Sequence, residues 1–120
     1  MEFSEDVRIP VSMIGKVVFA SLQIDPHPPL LRWLREDLSA MVVKHRANRV
    51  LLDLTGLAQM DDFEYRHLVT TARTLKLLGA RTVLVGMRPG VVAALAALNV
   101  DLDALPGALD VEQGLALPLP

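Results

Sequence analysis

The chain has 120 residues, 52% of them hydrophobic, a formal net charge of −2 and no cysteine. This is material for one compact domain with one core, and it excludes disulfides and thiolate-held metals. No basic block supplies the electrostatic footprint of a nucleic-acid binder, and no apolar run reaches the roughly 20 residues of a membrane span, so neither nucleic acid nor membrane is an expected partner.

The start, Met1 to Asp6, is acidic and has no apolar centre, unlike a secretory signal. Together with the missing cysteines it points to a cytoplasmic protein. Arg8 to Ile14 and Lys16 to Leu22 are short β-branched runs broken at Gly15, the pattern of a hairpin. After the breaker Asp25-Pro26-His27-Pro28-Pro29, apolar residues at Leu30, Leu31, Leu34, Leu38, Met41 and Val42 fall on one helical face, ending near Arg46. Arg49 to Leu54 is a nearly continuous apolar strand. A second helix, opened at Met60-Asp61-Asp62-Phe63, carries Leu68, Val69, Ala72 and Leu75 inward, leaves Glu64, Arg66, His67, Arg73 and Lys76 to water, and stops at Gly79. Thr82 to Val85 predicts another buried strand, Pro89 to Leu98 a third helix with proline in its first turn, and Ala108 to Leu115 a last short helix. The Pro-rich tail, 116–120, is expected to fray. The fold expected is α/β: a single domain over 1–120 with its core at about 8–115, a small mixed β-sheet with helices packed on it, in the order β-β-α-β-α-β-α-α.

The chemistry concentrates where the central strand meets the second helix. A helix start carries unsatisfied N–H groups and the positive end of the macrodipole, which favours an anion, and here Asp61 and Asp62 supply it. Asp61 followed by Glu64 fits an aspartate-led capping box worth about 1 kcal/mol. Paired carboxylates can also act as acid and base, but no nucleophile or metal ligand accompanies them. His27, His45 and His67 have no metal-ligand spacing, so no metal or cofactor is expected. Gly86-Met87-Arg88-Pro89-Gly90, between a strand and a helix, is a faint anion-binding candidate through Arg88.

Taken together, Arg8-Ile9-Pro10-Val11, Leu52-Asp53-Leu54-Thr55-Gly56-Leu57, Met60-Asp61-Asp62-Phe63, the run from Leu77 to Pro89 and the run from Ala108 to Leu115 resemble a STAS domain. The resemblance covers about Arg8 to Leu115 and is nearest to the short anti-sigma-factor antagonists of the RsbS type, found in bacterial stressosomes. It implies a non-enzymatic switch that binds and sequesters a serine/threonine kinase of the GHKL type, co-assembles with larger STAS sensor paralogues as a homo- or hetero-oligomer, and is phosphorylated on Ser or Thr at the start of the second helix.

This sequence departs from that pattern at the decisive place, where Asp62 occupies the phosphoacceptor position. Asp62 brings one fixed negative charge, fewer than the roughly −1.5 to −2 of a phosphate. It acts as a phosphate mimic, or another hydroxyl (Thr55, Thr70 or Thr71) is the acceptor, or only a scaffold role is kept. Partner docking is expected at Gln59, Asp62, Glu64, Arg66, His67 and Arg73, the exposed face of the second helix and its approach. The competing expectation is a domain that senses an anion or nucleotide near Arg88 without a kinase partner.

Overall fold

A computed structural model describes residues 8–23 and 26–119; the acidic start, Asp25 of the breaker and Pro120 of the tail lie outside the described residues. Strands β1 (Val11–Ile14) and β2 (Val17–Ser21) form the expected hairpin through a turn at Gly15, and Val11 pairs with Ala20. Next come α1 (Pro28–His45), β3 (Arg49–Asp53), α2 (Asp62–Leu77), β4 (Arg81–Val85) and α3 (Pro89–Ala97). The sheet runs in chain order, β1-β2-β3-β4-β5, with β2 to β5 mutually parallel and β1 antiparallel at one edge.

Helices α1, α2 and α3 all pack on one face. Leu30, Leu34 and Leu38 of α1, Leu68 and Leu75 of α2, and Val91 and Leu95 of α3 form one cluster with Val18, Val50, Leu52 and Leu84 of the strands. Alternation along each strand sends Leu51, Val83 and Val85 to the opposite face. There the short α4 (Val111–Ala116) and the tail residues Leu117 and Leu119 cover them.

Three expectations need correction. A fifth strand, β5 (Gly107–Ala108), and a 3-10 turn (Leu102–Ala104) lie between α3 and α4, so the last helix begins at Val111 rather than at Ala108. The tail does not fray through residue 119. Arg49 donates from Nη1 to the Gly114 and Leu115 carbonyls (2.7 and 2.9 Å) and from Nη2 to that of Leu117 (2.6 Å), so one guanidinium caps α4 and fastens the segment after it. Glu64 does not face water: it is 8% exposed, drawn in by the helix cap described below. Among the described residues no helix is long and apolar enough to cross a membrane.

Candidate functional site

Parallel strands deliver their following loops to one end of the sheet, the usual place for recognition in open α/β folds. Here the loops after β2, β3 and β4 converge. At the end of β3, Asp53 Oδ1 accepts from the Thr55 amide (3.0 Å) and the Thr55 hydroxyl (2.6 Å), an Asx turn that bends the chain out of the sheet. The Thr55 carbonyl in turn accepts from Arg88 Nε (2.9 Å), tying the loop after β3 to the loop after β4. Gly86 makes that approach possible: its φ is +69°, and a Cβ there would collide with the Thr55 hydroxyl. Gly56 likewise lies against Gln23 of the loop after β2, where a Cβ would stand 3.0 Å from the Gln23 Cα.

The chain then enters α2 through a complete capping box. The Glu64 amide donates to Asp61 Oδ1 (2.7 Å) and the Asp61 amide to Glu64 Oε1 (2.9 Å). Asp61 is therefore committed to the helix start. Asp62, the first helical residue, has its side chain 40% exposed and stands 3.4 Å from Arg66, one turn on. Both partners of that pair are wet, so it adds little to stability and leaves the carboxylate available.

Beside Asp62, Phe63 is 53% exposed, and its ring meets His67 edge-on at a centroid distance of 6.1 Å. His67 is half-buried, and its Nδ1 has no hydrogen-bond partner among the described residues. Burial first, then the Arg35 charge on α1 and more weakly that of Arg32, hold the imidazole below its ordinary pKa of 6.5.

The structure thus gathers Asp61, Asp62, Arg66 and His67 around one helix turn, with Gln59 exposed on the approach. It does not gather Arg73, which lies eleven residues along α2 from Asp62, about 16 Å at a rise of ~1.5 Å per residue. Of the alternative phosphoacceptors, Thr71 is 1% exposed and faces the core, which removes it. Thr70 is exposed in the middle of α2, and Thr55 is exposed but engaged with Asp53. Arg88 caps α3 without a side-chain cap bond, its Nε turned to Thr55. Phe63 falls off the inward stripe of α2, a position legible from its spacing alone, and adds an apolar group to this surface. Among the described residues no cluster of His, Cys, Asp or Glu is arranged to hold a metal.

The chain is 30% identical over 86 residues to the RsbT co-antagonist protein RsbRA of Bacillus subtilis (strain 168), a match covering 72% of this chain and 31% of the relative, so it spans about a third of that protein's length. In structure it is similar to a Ser-to-Glu variant of RsbS from Moorella thermoacetica (TM-score 0.75, 24% identity, 90% of this chain and 92% of the other). A chain from the molecular architecture of the stressosome, described as a signal integration and transduction hub, superposes comparably (TM-score 0.72, 22% identity, 89% and 93%). The model of the STAS domain matches residues 32–113, from within α1 to α4, and the chain belongs to that family.

Proposed function

We propose that this chain is a non-enzymatic regulatory module of the anti-sigma-factor-antagonist type, in which the start of α2 is the surface that meets a serine/threonine kinase of the GHKL type. One observation carries the reading. Asp61 and Glu64 close the reciprocal box between them, and Asp62 takes no part in it, so this second carboxylate stands beside an uncovered phenyl ring with only an exposed pair to Arg66. A fixed charge at a helix N-terminus next to an apolar anchor suits a docking surface whose affinity depends on local charge. Asp62 holds the position that a phosphorylated residue would occupy and imitates that state in part, with one charge and two acceptor oxygens.

The similarity to RsbRA and to stressosome structures supports a second element of the proposal, co-assembly with larger STAS sensor paralogues in a cytoplasmic complex. Commitment of Asp61 to the cap argues against the paired carboxylates working as acid and base. The use of the Arg88 Nε on Thr55 leaves the anion-sensing alternative with less support than the kinase reading.

The test is to measure binding of the GHKL-type kinase from the same genome to this chain and to Asp62→Ser in parallel, with labelled ATP present in a second series. The serine variant is expected to bind about tenfold more tightly, since a rim charge facing a partner shifts affinity on that order, and to take up phosphate. Equal affinities would overturn the charge-switch reading, and absence of binding by both would remove the kinase as partner.

A further inference from the structure

At the other end of the sheet, the first half of β4 has no strand paired to its outer edge. Pairing between β4 and β5 begins only at Leu84, opposite Gly107. The Leu84 amide donates to the Pro106 carbonyl (3.0 Å) and the Gly86 amide to that of Ala108 (2.9 Å). Within a strand, residues two apart direct their N–H and C=O to the same side, so Thr82 points both groups outward like Leu84, where β5 does not reach. Thr82 is only 4% exposed, and its Oγ1, on the helix-covered face with Leu84 rather than along the edge, also has no hydrogen-bond partner among the described residues. The opposite edge of the sheet differs: Ser12 and Ile14 of β1 are exposed and can be satisfied by water. Buried groups left unpaired in this manner are uncommon in folded proteins and ask for a partner.

A groove of about 770 Å³ runs over this edge, within the size range of ligand sites. Arg73 and Lys76 of α2 and Arg81 of β4 border it, with Val69, Leu105 and Leu119 as apolar walls. Asp101 and Asp103 border it too, the former already accepting from the Asp103 amide (3.0 Å), so cations outnumber acids three to two. A small anion satisfies an N–H but is repelled by the carbonyl beside it. An extended peptide supplies an acceptor and a donor together, and its side chains alternate between the two sides of the strand.

We infer that the N-terminal half of β4, with Arg73, Lys76 and Arg81, is a docking edge that takes an extended peptide of alternating acidic and apolar residues as an added strand. This site lies about 16 Å along α2 from Asp62, at a rise of ~1.5 Å per residue, and stands independently of the kinase reading.

The experiment follows backbone amide resonances of the intact chain during titration with a capped hexapeptide of alternating glutamate and valine. Two further titrants serve as controls: the same peptide N-methylated at alternate peptide bonds, and inorganic phosphate. The unmodified peptide is expected to shift the Arg81, Thr82 and Val83 resonances most and to slow hydrogen exchange at the Thr82 amide about tenfold or more. The N-methylated peptide should do neither. Arg73→Gln combined with Lys76→Gln, both exposed, should weaken binding by about tenfold while the unfolding midpoint stays within a few degrees. Equal binding of the N-methylated peptide, the same Thr82 shifts from phosphate alone, or no response at Thr82 at millimolar peptide would each overturn the inference.

Discussion

Helices α2 and α3 begin at the same end of the sheet, after the neighbouring parallel strands β3 and β4, yet their first turns are built in opposite ways. The start of α2 carries three carboxylates, two of them locked in a reciprocal box and the third, Asp62, outside it. That of α3 has a cation at its cap position, proline in its first turn and no side-chain cap bond. The contrast shows how negative charge is distributed at this end. At α2 the chain itself meets the positive end of the helix dipole, and at α3 the guanidinium that could attract an anion reaches back to the Thr55 carbonyl. The two starts are thereby coupled, one loop holding the other.

The strongest way to break the coupling is Gly86→Ala. The backbone there sits at φ +69°, and a methyl group would occupy the space of the Thr55 hydroxyl, displacing it from Asp53. Left-handed backbone with a Cβ costs about 1–2 kcal/mol and overpacking a similar amount again, so a loss of about 2–4 kcal/mol is expected in chemical denaturation. A loss below about 1 kcal/mol would show that the two loops move apart freely.

Much of this architecture is legible from residue spacing, and the part that is not has identifiable causes. Helices α1 and α2 announce themselves because each buries a periodic apolar face, β3 and β4 because they are short, nearly continuous apolar runs, and the Asp61-to-Glu64 box because it is local. Strand β5 is two residues long, Gly107 and Ala108, too short to display any period. The role of Arg49 depends on carbonyls 65 to 68 residues away, and the bond from Arg88 to Thr55 spans 33 residues. Such pairings exist only once the topology brings the segments together. Glu64 was expected in water because its charge dominates a helical-wheel argument, whereas its bond to the Asp61 amide places it at 8% exposure.

A smaller effect sharpens the division of labour between the two adjacent aspartates. Asp61→Ala removes an acceptor from the Glu64 amide and is expected to cost about 1 kcal/mol, a fall of several degrees in Tm for a domain of this size. Asp62→Ala loses only an exposed pair with Arg66 and should stay within about 0.5 kcal/mol. Equal losses by calorimetry would mean that both carboxylates serve the helix start, and that Asp62 is not reserved for a partner.

The smallest expected effect concerns His67, one turn beyond Asp62, where α2 faces the Arg32 and Arg35 charges of α1. Its folded-state pKa lies below the ordinary 6.5, chiefly through burial, so the unfolded chain takes up the proton first as pH falls. The contribution of neutral His67 is therefore fully present above about pH 6.5 and declines as pH drops from there to the lowered folded value, below which the penalty is constant. His67→Gln cannot titrate, so its unfolding midpoint should fall less than that of the parent chain between about pH 7.5 and about pH 5.5. Identical falls in the two proteins would show that protonated His67 is accommodated at the α1–α2 surface without cost, and that acid weakens the fold through other groups.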